Sequence, residues 1–408
     1  MIRTAREYMG ERAIEALRRP ALEEARGLPA SLYTSREFFD LEQRRLFPRT
    51  WAGIAFDSDV PAPGDAVPLT VCGLPVILVR DDSGEVRVLH NVCRHRATIV
   101  LERPARGLRT FKCPYHGWVY GTDGSLKATP FWDGTPDSHR CPVDAADNGL
   151  VPVRSAVWNH VVFVNLDGRA GPLDDYLAPM AAELDHLDIQ RLELGHRLDW
   201  RFKANWKLVM ENWEVYHHVW VHEGVFDKMS DEVDLATGEP YTEMIADGNV
   251  MILRYKKTRL PPVSPPTNGP TLPRVPTRYE KTAPTGVANA VLPNTTVTIG
   301  PVAYAPAIYV PIAPDLTEAR MAWYFAPGAA TGAEFATSRE AILDRWLGPT
   351  RKFRDRQGIR AQDHRCMELQ QAARCSPVAD DVKFSATWEA NVRYFQDWLV
   401  TRIDARPV

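Results

Sequence analysis

Between Asn91 and Trp118 the chain reads NVCRHRATIVLERPARGLRTFKCPYHGW, with Cys93 and His95 two apart and, after seventeen intervening residues, Cys113 and His116 three apart. Two thiols and two imidazoles on two short turns form a ligand set, and a shared ligand brings both turns to one point. Sulfur together with imidazole nitrogen favours zinc or iron over magnesium or calcium. Structural zinc sites mostly pair Cys with Cys and His with His, whereas each turn here supplies one of each. A binuclear cluster takes such a set, the cysteines on one iron and the histidines on the other. A zinc clip is the competing reading. Gly117 lets the backbone pass close to a cluster, and Pro114 stiffens its loop.

The chain around this stretch, residues 51–165, reads as short strands. AVPLTVCGLPVILVRDDSGEVRVLHNVC has β-rich runs parted by Gly73-Leu74-Pro75 and by the turn at residues 81–84. A second β unit follows in LVPVRSAVWNHVVFVNLDGRAGP, then a helical pattern in LDDYLAPMAAELDHLDIQRL. From residue 199 the apolar and aromatic residues of WRFKANWKLVMENWEVYHHVWVH recur at three- and four-residue steps, which predicts one long helix. Eight prolines between residues 261 and 284 exclude a continuous helix or central strand and imply an irregular excursion. Strand patterns return in NTTVTIGPVAYAPAIYVPIAP and ARMAWYFAP, and a charged helix is expected over 336–373. The expected class is α+β: an all-β module inserted early in a larger region with helices around a sheet. The expected divisions are 1–48 (N-terminal helices), 49–165 (β module) and 166–408 (larger region, with a Pro-rich loop at 258–285).

A formal charge of −3, with Lys and Arg interspersed among Asp and Glu, argues against a nucleic-acid partner. The N-terminal MIRTAREYMGERAIEALRRP has Arg at helical spacing, but Glu7, Glu11 and Glu15 do not suit a transit peptide, so an amphipathic surface helix ending at Pro20 is expected. No apolar run reaches the roughly 18 residues of a membrane span, and a cytoplasmic location is expected. Cys72, Cys141, Cys366 and Cys375 stand outside any motif and read as ordinary thiols rather than a disulfide framework.

A second constellation lies in NWKLVMENWEVYHHVWVH, with Glu214 and His217 at i, i+3 and His222 five residues further. Five residues turn about 140° around a regular helix, so His217 and His222 share a metal only if the helix ends or bends between them. His218 points about 100° from His217 and reads as a packing or surface histidine. Two imidazoles and a carboxylate on one face of an iron leave the opposite positions open, the logic of non-haem iron(II) oxygenases. Asp363, five residues before Glu368 in QDHRCMELQQ, is the candidate third ligand.

C-x-H-x17-C-P-Y-H-G-W resembles the Rieske [2Fe-2S] motif, and over nearly its full length the chain resembles the catalytic α subunit of Rieske non-haem iron oxygenases. Asn205, Trp206 and Lys207 match the family's Asn-Trp-Lys opening, His217 and His222 its iron histidines, and Asp363, Glu368 and Gln371 its D-x4-E-x2-Q segment. Glu214 matches the acid that bridges the two centres, and Asn212 falls near the iron. The resemblance implies a catalytic domain of helix-grip type, one Rieske cluster and one mononuclear iron. It also implies hydroxylation of an organic, aromatic or hydrophobic substrate with dioxygen. Electrons would come from NAD(P)H through a ferredoxin or flavin reductase, since no nucleotide fingerprint is visible. A homotrimer in which His116 passes the electron to Glu214 of a neighbouring subunit is implied, with or without a separate β subunit. Oxidative demethylation or quaternary-ammonium oxidation within the same family, and an electron carrier without mononuclear iron, are the alternatives.

Overall fold

The computed structural model describes residues 4–135, 138, 143–214, 217–222, 236–237, 240–255, 269–280, 286–349 and 357–405. They form two units, one over Phe47–Ala170 and the other joining Met1–Leu46 to Gly171–Val408.

The chain opens with helices α1 (Ala5–Met9), α2 (Glu11–Leu17), α3 (Ser31–Thr34) and α4 (Arg36–Arg45). The single helix expected up to Pro20 is two, because Gly10 between them takes a left-handed φ of +80°. Ser35 caps α4 by accepting from the Phe38 N–H at 3.2 Å, and the helix buries Phe38, Phe39, Leu41 and Glu42.

The unit Phe47–Ala170 is all β. Strands β1 (Ala52–Phe56), β2 (Ala66–Val71), β3 (Leu74–Arg80), β4 (Val86–His90), β5 (Thr110–Lys112), β6 (Val119–Gly121), β7 (Leu126–Ala128), β8 (Pro152–Trp158) and β9 (Val161–Asn165) follow in order. Six make an antiparallel sheet in the order β1-β9-β8-β4-β3-β2, and β5-β6-β7 make a small one. The two-residue period of β3 explains why both its faces are buried. Val76 and Leu78 pack with Val88, Val153 and Val162, while Ile77 and Val79 pack with Cys93, Phe111, Cys113 and Trp118.

After β3 the chain turns on Asp81, whose carboxylate accepts from the Ser83 N–H at 2.9 Å, the Ser83 hydroxyl at 2.6 Å, the Glu85 N–H at 2.9 Å and Arg87 Nε at 2.5 Å. Burial pushes this carboxyl up, but the donors outweigh it and hold it below its ordinary 3.8. A carboxyl lowered on folding stabilises above its unfolded value, and that contribution is lost as pH falls through the folded one. Asp81→Asn is therefore expected to lower urea stability at neutral pH, with the difference shrinking as pH falls through the lowered folded value of the carboxyl. A difference independent of pH would remove the ionised carboxylate as the cause.

The larger unit continues with α5 (Leu173–Leu184), β10 (Glu193–Phe202), α6 (Lys207–Glu211), β11 (Thr242–Asp247), β12 (Val250–Tyr255), β13 (Gly286–Val291), β14 (Thr295–Ile299), β15 (Ala303–Ala313), β16 (Leu316–Phe325), α7 (Ala336–Leu347), α8 (Ile359–Ala373) and α9 (Ala390–Asp404). Its antiparallel sheet runs β10-β16-β15-β14-β13-β12-β11. The long helix expected from residue 199 is corrected here. Residues up to Phe202 are the end of β10, paired with β16 from Glu193↔Phe325 to Phe202↔Thr317, and among the described residues of this segment regular helix is confined to Lys207–Glu211. A ladder of that length, to a strand more than a hundred residues away, outweighs local helical spacing.

The charged helix expected over 336–373 is also two helices. Gly348 ends α7 and Gly358 begins α8, with φ of +80° and +91°. They close on each other so tightly that a Cβ on Gly358 would lie 2.3 Å from the Gly348 nitrogen. Of the Pro-rich loop at 258–285, only residues 269–280 fall among the described residues. Among the described residues no helix is long and apolar enough to cross a membrane.

Candidate metal centres

The two ligand turns of the β unit are built alike. The Cys93 N–H donates to the Thr98 carbonyl at 2.8 Å and Cys93 O accepts from Ala97 at 2.9 Å; the Cys113 N–H donates to the Trp118 carbonyl at 2.8 Å and Cys113 O accepts from Gly117 at 3.1 Å. In each turn the residue four after the Cys lies in the left-handed region, Ala97 at φ +58° and Gly117 at +72°. An alanine there is strained, and strain of this kind persists where the surroundings over-determine the loop. Both thiols are buried and unbridged. The Cys113 side chain is within hydrogen-bond reach of the Cys93 thiol, and burial pushes that thiol up, so a thiolate there needs a metal to draw the proton off.

The Tyr120 hydroxyl lies 3.2 Å from Cys93 Sγ and accepts from the Arg94 N–H at 3.0 Å. The His95 and His116 rings meet edge to face with centroids 4.6 Å apart, and His95 stacks on Trp118 at 5.0 Å. Burial lowers the His95 pKa, favouring the neutral ligand form, and its buried Nδ1 has no hydrogen-bond partner. A cluster with two sulfur and two nitrogen ligands fits this arrangement: two adjacent thiols on one side, two adjacent rings on the other, and an orphaned ring nitrogen between. His116 is exposed and lines a cleft of about 780 Å³ with Tyr115, Trp118, Phe131 and Trp132.

In the larger unit, β10 ends at Phe202 and the chain is clamped before it enters α6. The Lys203 N–H donates to Glu368 Oε1 at 2.9 Å and the Asn205 N–H to Gln371 Oε1 at 3.0 Å, so two residues of the D-x4-E-x2-Q segment hold the backbone that leads to the histidines. Asn205 Oδ1 then accepts from the Lys207 N–H at 3.1 Å. After α6 come the 3-10 turn Asn212–Glu214 and the 3-10 turn Val219–Val221. Asn212 opens the first of these and is half-buried; the side chain of Glu214 lies outside the described residues.

His218, His222 and Asp363 come together, one ligand atom from each within 4.8 Å of the others. Asp363 Oδ1 is 3.4 Å from His218 Nε2 and 3.5 Å from His222 Nε2, and it lacks a hydrogen bond of good geometry. Burial works against the Asp363 carboxylate, but the close approach of the His218 ring and the charges of His222, His218 and Arg360 outweigh it, holding the group well below the usual carboxylate range. His222 is 2% exposed; burial lowers its pKa, and its Nδ1 sits 3.2 Å from Gln362 Oε1, which leaves Nε2 to face Asp363. Two imidazoles and one buried carboxylate with an unsatisfied oxygen fit a mononuclear iron with open positions.

Of the two expected histidines, the structure gathers His222 with Asp363, and His218 stands beside them in place of His217. His217 lies outside this group, half-exposed, stacked on Trp388 at 6.0 Å with its Nδ1 3.4 Å from Glu389 Oε1. The 3-10 turn Val219–Val221 separates His218 from His222, and it leaves their two rings tilted toward each other with centroids 5.3 Å apart. H-x3-H carried that signal in the sequence. Gln362 and Arg360 carried none.

The family described as ring hydroxylating alpha subunit (catalytic domain) matches residues 189–405, and the Rieske [2Fe-2S] domain family matches residues 50–138. The chain is 31% identical over 220 residues to chlorobenzene dioxygenase subunit alpha of Cupriavidus sp. (strain PS12), covering 52% of this chain and 48% of that protein. It is 30% identical over 210 residues to the carnitine monooxygenase oxygenase subunit of Escherichia coli (strain K12), covering 51% and 55%. The matches thus span about half the length of these curated relatives. Among solved structures, a quaternary ammonium Rieske monooxygenase in complex with gamma-butyrobetaine superposes with a TM-score of 0.71 at 20% identity, covering 95% of this chain and 98% of that one. Naphthalene 1,2-dioxygenase from Rhodococcus sp. does so with 0.70 at 22% identity, covering 93% and 95%.

Proposed function

From membership of the ring-hydroxylating alpha-subunit family, to which this chain belongs, we propose that it is the terminal oxygenase component of a Rieske non-haem iron system acting on an organic substrate. The observation that carries the reading is the second metal group: an electron carrier has no use for two imidazoles and a carboxylate gathered on one point. When bound, the cluster supplies single electrons and the mononuclear iron supplies dioxygen activation. Cys93, His95, Cys113 and His116 would hold the first, and His218, His222 and Asp363 the second. Around them, Gln362 fixes the His222 tautomer, Tyr120 and the Arg94 N–H tune the Cys93 side, and Glu368 with Gln371 fix the entry to the histidine segment.

The exposed His116 is the outlet of the β unit and Glu214 the receiving acid, in a homotrimer where the electron crosses to a neighbouring subunit. A ferredoxin or flavin reductase fed by NAD(P)H would recharge the cluster, and a separate β subunit is compatible with this. Glu214→Gln is expected to keep both metals and abolish turnover, read as unchanged iron content beside NADH-driven substrate oxidation at background level. Full activity in that variant would remove the bridge. The activity is tested by reconstituting the chain with iron, a reductase, NADH and dioxygen, and following oxygen uptake and the mass of candidate substrates. Products carrying one or two added oxygens are expected; a reducible cluster without mononuclear iron would make the chain a carrier.

A further inference from the structure

Arg360 stands one helical turn before Asp363 on the same face of α8 and is 7% exposed. Its guanidinium carbon lies 5.7 Å from the ring centre of Trp213, in the turn after α6, and 5.6 Å from that of Trp346 on α7. Its polar contacts are two neutral hydroxyls: one Nη donates to Tyr309 Oη at 3.4 Å and the other to Thr298 Oγ1 at 3.2 Å, both on the sheet opposite. Among the described residues no carboxylate comes within ion-pair distance. Asp363 feels the charge without pairing with it. A guanidinium cannot escape the cost of burial by losing its proton, so a buried one is ordinarily matched by an acid. Here it is held by two indole faces and two long hydrogen bonds, beside a metal group that is itself net positive once iron is bound.

We propose that Arg360 is the specificity residue of this oxygenase and that the counter-ion it lacks among the described residues is the substrate's: the chain acts on a molecule bearing a carboxylate. This rests on the oxygenase reading above and narrows its substrate class. The planar fork matches a carboxylate in two parallel hydrogen bonds, and the flanking Trp213 and Trp346 rings complete an apolar, aromatic wall for the rest of the molecule. The same observation argues against a substrate that is only cationic. The two indole faces that would cage a quaternary ammonium group already hold the protein's own cation.

The test is equilibrium binding, without turnover. The iron-loaded chain is titrated calorimetrically with benzoate, phenylacetate and cyclohexanecarboxylate, with the matching amides, and with tetramethylammonium. At least one acid is expected to bind at least about tenfold more tightly than its amide, and tetramethylammonium not to bind. Arg360→Gln is expected to weaken that acid by roughly 100-fold and leave the amide unchanged, while Arg360→Lys, which keeps the charge and loses the fork, falls between. Should the Gln variant fail to fold, the acid-specific loss in the Lys variant decides. The proposal is overturned if acids and amides bind alike, if none of the acids binds, or if the variants bind the acids as wild type does. Iron content separates the two readings: a chain that retains cluster and mononuclear iron but shows no acid preference refutes the anchor alone, whereas a chain that takes up no mononuclear iron refutes the oxygenase.

Discussion

His218→Ala is expected to lose the mononuclear iron while keeping the cluster, so that iron falls from about three per chain to about two and oxygenation stops. His217→Ala, one residue away, is expected to keep all three. The contrast follows from what each ring touches. His218 Nε2 faces Asp363 at 3.4 Å inside the ligand group, whereas His217 is stacked on Trp388 and half-exposed beside Glu389. Removing His217 therefore costs one ring contact and a solvent-screened pairing, together on the order of 1 kcal/mol. Iron analysis on the two variants, with electron paramagnetic resonance of the reduced cluster as an internal standard, separates them. Loss of iron from the His217 variant with retention in the His218 variant would return the ligand to the position given by the H-x4-H spacing.

That contrast also marks how far the sequence could be read. The β unit was legible because its ligands sit on two turns within one short stretch, and each turn is closed by local backbone hydrogen bonds from the Cys to the residues four and five beyond it. Strands β14 to β16 were legible for the same reason, through runs whose alternation is local. The histidine segment was not. Phe202, Trp206 and Trp213 recur at helical steps, yet Phe202 belongs to a strand whose partner is β16 and Trp206 only precedes a short helix. Once the long helix is gone, the angle between two histidines can no longer be taken from helix geometry, and the choice between His217 and His218 goes with it. Asp363, Glu368 and Gln371 were found by resemblance, but that the last two clamp the Lys203 and Asn205 amides is a tertiary fact with no sequence period. Arg360 showed nothing in the sequence, since a single arginine on a charged helix is ordinarily solvated. Its burial under Trp213 and Trp346 gives it meaning.

The second large effect lies beneath the iron site, in the charges on which α6 stands. Lys207 and Glu42 are both fully buried, with Nζ 2.6 Å from Oε1, and Glu42 Oε2 accepts from Trp206 Nε1 at 3.0 Å. Burial raises the Glu42 pKa and lowers that of Lys207, each against its own charge, and the pairing opposes both shifts. The rings of Tyr33, Phe38 and Trp206 surround the ammonium at 5.2 to 5.5 Å. One turn on, Glu211 accepts from Gln396 Nε2 at 2.9 Å and from the Tyr33 hydroxyl, with Arg374 at 4.0 Å. Helices α3, α4, α8 and α9 are thereby tied to the five-residue helix that leads into the histidine segment. Such a helix is too short to hold itself, so its position depends on these ties. Lys207→Met leaves the Glu42 carboxylate buried without its cation and is expected to cost about 3–5 kcal/mol. The double variant Lys207→Met, Glu42→Leu removes both charges and is expected to recover most of that loss, because a well-packed apolar pair avoids the desolvation altogether. Urea unfolding of wild type, Lys207→Met, Glu42→Leu and the double variant, analysed as a double-mutant cycle, gives the coupling directly. If the single and double variants were equally destabilised, the pair would be acting through shape rather than charge, and mononuclear iron content should then fall in both alike.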